Sequence, residues 1–138
     1  MTKLYATALL IKDFRIVLDD GRSHSVCIDL PLDTGSDMGP TALELCVMSH
    51  AGCYATIFAL TAKKMRIPLK ELDVRVEAVK TEEAGTITEA KFDVTVKADA
   101  PADRIERLHK VTLKNCPVGR LFENAGVRMN YSIRTEKK

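Results

Sequence analysis

Tryptophan is absent from the sequence, and only 5% of its 138 residues are aromatic. A strand of bases would therefore find few rings to stack on. The formal net charge is only +2, with lysine and arginine interleaved among acidic residues, so no basic stripe is available for phosphates. Nucleic acid is not expected as a partner. The opening stretch MTKLYATALLIKDF lacks a basic region followed by a small-residue cleavage site, so it does not read as a signal peptide. The expectation is a cytoplasmic protein whose thiols stay reduced unless their chemistry is redox-active. No pair among Cys27, Cys46, Cys53 and Cys116 is separated by two residues, which removes the zinc ribbon and the thioredoxin-type dithiol. Neither a metal nor a resident cofactor is expected. The longest mostly apolar run, Leu43 to Ala62, is interrupted by His50 and entered through Glu44. It suits a core helix better than a membrane span. No repeat, low-complexity tract or linker breaks the chain, so residues 1–138 are expected to form a single domain.

What is present alternates between two periodicities. KLYATALLI is rich in β-forming residues, and FRIVLDDGRSHSVCIDL holds two apolar arms joined at Asp19-Asp20-Gly21, a hairpin signal. In the second arm Val26, Ile28 and Leu30 alternate with Ser25, Cys27 and Asp29, which turns Cys27 away from the apolar row. The loop PLDTGSDMGP follows, then a helical pattern from Pro40 to Arg66 that Pro68 stops. ELDVRVEAV and TEAKFDVTVKA read as a hairpin with one wet face. PADRIERLHKVTLKN is an amphipathic helix, CPVGRLFENAG a second one ending at Gly126, and VRMNYSIRT a closing strand. The order is β-β-β-α-β-β-α-α-β. Without strand–helix alternation this is an α+β fold with a mostly antiparallel sheet.

The cysteines pose the functional question. Cys116 precedes Pro117, which is favoured in a helix's first turn, so its thiol falls at an N-cap. Unpaired N–H groups and the helix dipole there would lower its pKa. The alternative is a thiol that fills a helix–helix corner. Cys53 lies deep inside the long helix and reads as a packed core cysteine unless a cation reaches it. His50, three residues earlier and about 60° around the helix, is one neighbour that could. Cys46 and Cys27 read as structural. Glu44 sits nine residues before Cys53, half a turn out of phase on a continuous helix. Either the helix breaks between them or Glu44 serves another subunit; otherwise it is a carboxylate placed near a helix N-terminus.

GPTALELCVMSHAGCYATIFAL, followed 63 residues after Cys53 by the Cys116 of NCPVGRLF, resembles the OsmC/Ohr family of osmotically inducible protein C and organic hydroperoxide resistance proteins. Pro40 and Glu44 match the family's Pro and Glu ahead of the first cysteine, and Cys116, Pro117 and Val118 match its Cys-Pro-Val helix. The resemblance implies an OsmC-like fold with a long buried central helix, in an intertwined homodimer with sites at the subunit interface. It implies a thiol-dependent peroxidase that reduces organic hydroperoxides, and hydrogen peroxide as a secondary substrate. Cys53 would be the peroxidatic thiolate and Cys116 the resolving thiol. An external dithiol, lipoyl-type or thioredoxin-like, would reset the disulfide. The family's peroxidases use an Arg salt-linked to the Glu. PLDTGSDMGP contains no Arg, so Arg15 in the first hairpin is the substitute, with Arg22 at the turn behind it. The competing class is an OsmC-fold dimer that senses redox state or binds a small ligand without efficient turnover. Metal binding through Cys53, His50 and Cys116 lacks regular ligand spacing.

Overall fold

The computed structural model describes residues 1–136. Its elements run β1 (Thr7–Lys12), β2 (Arg15–Asp19), β3 (Ser25–Ile28), α1 (Ala42–Lys64), β4 (Leu69–Thr81), β5 (Thr86–Ala98), α2 (Ala102–Asn115), α3 (Pro117–Asn124) and β6 (Arg128–Glu136). This is the α+β order expected from the sequence. The chain forms two compact units, residues 1–48 and the residues from Ser49 onward.

In the first unit β1, β2 and β3 form an antiparallel sheet in that order. The β2–β3 turn is held by Asp20, whose carboxylate accepts from the backbone N–H groups of Arg22 at 2.7 Å and His24 at 3.2 Å. This is the local side-chain-to-backbone bonding that favours Asp in turns. The next loop is tied down by Asp29, a buried carboxylate that accepts from the N–H of Leu30 at 2.7 Å and of Met38 at 3.1 Å. A Cβ on Gly39 would stand 2.1 Å from the Cys27 carbonyl oxygen, so only glycine allows the loop to pass this close to β3. Alternating burial fails in β1: Leu9 is 65% and Leu10 62% exposed, leaving apolar side chains uncovered on both faces.

Helix α1 opens with a capping box. The Thr41 hydroxyl accepts from Glu44 N–H at 3.1 Å, and the Glu44 carboxylate accepts from Thr41 N–H at 2.8 Å. Thr41→Ala should therefore cost about 1 kcal/mol. The expected shift of the urea midpoint should be absent in Thr41→Ser, which keeps the hydroxyl. The helix ends before Pro68 in a Schellman pattern, with Ile67 N–H bonded to Ala62 O, Arg66 N–H to Lys63 O, and Arg66 left-handed at φ 56°. By length and composition α1 is apolar enough to cross a membrane. Its Tyr54, Phe58 and Ala62 instead belong to the core cluster with β5 and α2. Burial runs along one face rather than all round, since Leu43, Met48 and Leu60 on α1 are exposed.

The second unit is a three-stranded sheet with β5 in the centre. β4 pairs with β5 antiparallel, through Val74↔Val94 and Val76↔Phe92. β6 pairs with β5 in parallel, through Phe92↔Tyr131 and Val94↔Ile133. A parallel neighbour needs a crossover, and α2 and α3 provide it. Ala90, Phe92, Val94 and Val96 are buried at every second residue of β5, the period of a strand with its face to the core. Ile105 and Leu108 of α2 close on that face. The α3 C-terminus repeats the Schellman pattern, with Val127 N–H to Phe122 O and Gly126 at φ 83°, where the sequence places its end.

Candidate active site

Cys116 is the N-cap of α3, and its sulfur accepts from Gly119 N–H at 3.4 Å. To that extent the N-cap expected from Cys-Pro forms. The expected lowering of its pKa does not. Burial pushes the Cys116 thiol up to about 11, against the opposing Gly119 N–H, and the Cys53 side chain adds to the rise through a hydrogen bond. The thiol is only 3% exposed, and desolvation of a thiolate outweighs a few backbone dipoles there. The Cys53 side chain thus acts with burial to hold the proton on Cys116.

The structure thus brings Cys53, from the middle of α1, against Cys116 at the start of α3. Cys53 is half-buried. Between the pair and the sheet stands His50, 1% exposed. Its ring lies 4.3 Å from that of Phe122 and 4.7 Å from that of Phe92, centroid to centroid. Burial alone holds its pKa below the ordinary value, so the imidazole is neutral near pH 7. Its Nδ1 has no hydrogen-bond partner among the described residues. An unpaired buried ring nitrogen costs roughly 1–3 kcal/mol, which calls for a role beyond packing. By contrast the second buried histidine, His109, is satisfied: its Nδ1 lies 2.6 Å from the Tyr54 hydroxyl. Below Cys116 opens a cavity of about 380 Å³ whose lining includes Lys114, Arg120 and Leu121.

Two further candidates belong to the first unit. Glu44 is the capping carboxylate already described, and α1 runs through residues 42–64 without a break, so the half-turn offset from Cys53 in helical phase stands. Arg15 lies on β2, where its charge helps hold the Asp29 carboxyl below its usual range, after the Leu30, Met38 and Ser36 N–H groups. The Arg15 Nε is buried without a partner among the described residues. Arg22 is engaged at the hairpin turn, 3.7 Å from Asp20. Among the described residues Arg15 and Glu44 form no ion pair with each other. No three His, Cys, Asp or Glu side chains among the described residues converge as a metal site requires. The capping box was legible as Thr41-Ala-Leu-Glu44; the unpaired ring of His50 had no sequence signal beyond its position three residues before Cys53.

A family model described as OsmC-like protein matches residues 35–132, and the chain belongs to that family. Solved structures share the fold at low identity. An OsmC-like protein from Mycoplasma pneumoniae is 17% identical, with a TM-score of 0.86 and 97% of each chain covered. An OsmC-like protein of unknown function from Vibrio cholerae is 12% identical, with a TM-score of 0.82 over 97% of this chain and 100% of that one. An organic hydroperoxide resistance protein from Elizabethkingia anophelis is 14% identical, with a TM-score of 0.72 over 100% of this chain and 98% of that one. No curated protein matches.

Proposed function

We propose that this protein is a cytoplasmic, thiol-dependent peroxidase for organic hydroperoxides, with hydrogen peroxide as a poorer substrate. The observation that carries it is the pairing of the half-buried Cys53 with the buried Cys116 at the α3 N-cap. The Cys53 thiolate attacks the distal peroxide oxygen, the O–O bond breaks, and a proton completes the alcohol, leaving Cys53 as a sulfenic acid. The Cys116 thiol then displaces water from that sulfenic acid to form the disulfide. An external dithiol, lipoyl-type or thioredoxin-like, reduces it by exchange. The cavity beside Lys114, Arg120 and Leu121 supports approach of that reductant to the Cys116 side. No resident cofactor is needed for any step.

Arg15 and Glu44 are assigned to polarising the peroxide and holding the thiolate. The buried, unpartnered Arg15 Nε supports this for the cation. The uncovered apolar side chains of β1 and of Leu43, Met48 and Leu60 support a homodimer in which a second copy covers them. Glu44 would then serve the partner's site, and the two compact units would act as one OsmC-like domain. The raised pKa of Cys116 favours one other reading, a redox-sensing dimer whose slow disulfide step prevents efficient turnover.

The test is consumption of cumene hydroperoxide and hydrogen peroxide with a lipoyl dithiol as reductant. Wild type should turn over both and prefer the organic peroxide. Arg15→Met should lose about 10²-fold in kcat/KM, the scale of removing one preorganised electrostatic donor. Turnover no faster than the dithiol alone would leave the sensing dimer as the account.

A further inference from the structure

One buried titratable group is unused by the steps above. The His50 imidazole is sealed between Phe92 and Phe122, and its Nδ1 has no partner among the described residues. A Cβ built on Gly119 would stand 3.3 Å from the Cys116 sulfur and 3.3 Å from His50 Nε2. The absent side chain of Gly119 is therefore what leaves the thiol and the imidazole facing a common space. Any larger residue there would press on both.

We propose that His50 is a proton relay for the resolving thiol, taking the Cys116 proton through Nε2 as the sulfur attacks and passing it to the departing hydroxide. This rests on the peroxidase reading for its place in the cycle. The step balances without an outside acid or base: Cys53–S–OH and Cys116–S–H give the Cys53–Cys116 disulfide and one water. The S–O bond breaks as the S–S bond forms, and the proton completes the water. The need for a relay follows from burial. With its pKa near 11, Cys116 seldom ionises spontaneously near neutral pH, yet only the thiolate is nucleophilic. Burial also keeps the His50 imidazole neutral near pH 7, so it has an unprotonated ring nitrogen to share the proton as the S–S bond forms.

Disulfide formation is to be followed directly in wild type, His50→Gln and His50→Phe, the last filling the aromatic slot without a ring nitrogen. After one equivalent of cumene hydroperoxide, all three should form the Cys53 sulfenic acid, trapped by dimedone, at similar rates. Closure to the disulfide should then slow about 10²-fold in both variants, a general-base effect. Wild-type closure should be nearly level above pH 7 and slower in D2O. Closure in the variants should rise with pH, because it then depends on spontaneous ionisation of Cys116. A second arm removes dependence on peroxide: with Cys27 and Cys46 replaced by serine, dipyridyl disulfide caps Cys53, and Cys116 attack releases thiopyridone, which carries off the proton. The variants should again release it more slowly. If wild type forms no sulfenic acid but the second arm behaves as stated, the peroxidase reading falls and the relay stands. Equal closure rates and pH profiles in all three proteins, or no D2O effect in wild type, would overturn the relay.

Discussion

Cys116→Ser should consume one equivalent of cumene hydroperoxide per chain in a burst without turning over, a second being taken up only slowly as sulfinic acid, while Cys53→Ser should consume none above the uncatalysed rate. The two cysteines differ in what their surroundings let them do. Cys53 is half-buried and lies against Cys116, so it is the sulfur of the pair more open to peroxide. Cys116 is 3% exposed, with its pKa pushed up to about 11 by burial, by the Cys53 hydrogen bond and despite the Gly119 N–H. Near neutral pH very little of Cys116 is thiolate, which leaves it a poor group for first attack on peroxide. Serine at 116 keeps a hydroxyl at the α3 N-cap, where serine is a favoured residue, so the loss should not come from unfolding. Without a second thiol the Cys53 sulfenic acid persists, and excess peroxide should drive it to sulfinic acid. Intact-mass spectrometry reads each stage as added oxygen. Multiple turnovers by Cys116→Ser would show that the reductant resolves the sulfenic acid itself, and the two-cysteine cycle would be wrong.

That asymmetry is only half visible in the sequence. Cys-Pro placed Cys116 at a helix start correctly, because proline's fixed φ is a local property. The pKa went the other way, because desolvation depends on what tertiary structure packs over the sulfur, and neighbouring residues do not encode that. His50 follows the same logic: its helical phase toward Cys53 was readable, but its slot between Phe92 and Phe122 needs partners 42 and 72 residues away. Glu44 was the opposite case. Its capping bond to Thr41 is local, and Thr-x-x-Glu ahead of an apolar run is enough to expect it. The strand order was legible throughout, because period two and turn residues mark strands. The parallel pairing of β6 on β5 was not, since period two looks the same in either direction. In β1 the pattern itself misleads: Leu9, Leu10 and Ile11 are consecutive and apolar, yet all three are exposed.

Phe92→Ala should cost about 3–5 kcal/mol, the range for deleting a buried phenyl ring. Phe92 is 0% exposed on the central strand, and its ring touches three others: His50 at 4.7 Å, Tyr131 at 5.2 Å and Tyr54 at 5.5 Å between centroids. Those neighbours come from α1 and β6, so the cavity left by alanine would lie where helix and sheet meet. Collapse into it would require the main chain to move, which interiors packed near crystal density resist. Domains of this size have stabilities of roughly 5–15 kcal/mol, so the loss would be a third or more of the total. Guanidinium unfolding should show it as a lower midpoint with little change in slope. Phe92→Leu should cost less, since it keeps most of the apolar volume, but it removes one wall of the imidazole slot. The two substitutions should therefore separate stability from chemistry: Phe92→Leu stays folded yet closes the Cys53–Cys116 disulfide more slowly than wild type. A cost below about 1 kcal/mol for Phe92→Ala would mean that the core yields around position 92, and that His50 owes its placement to Phe122 and Gly119 alone.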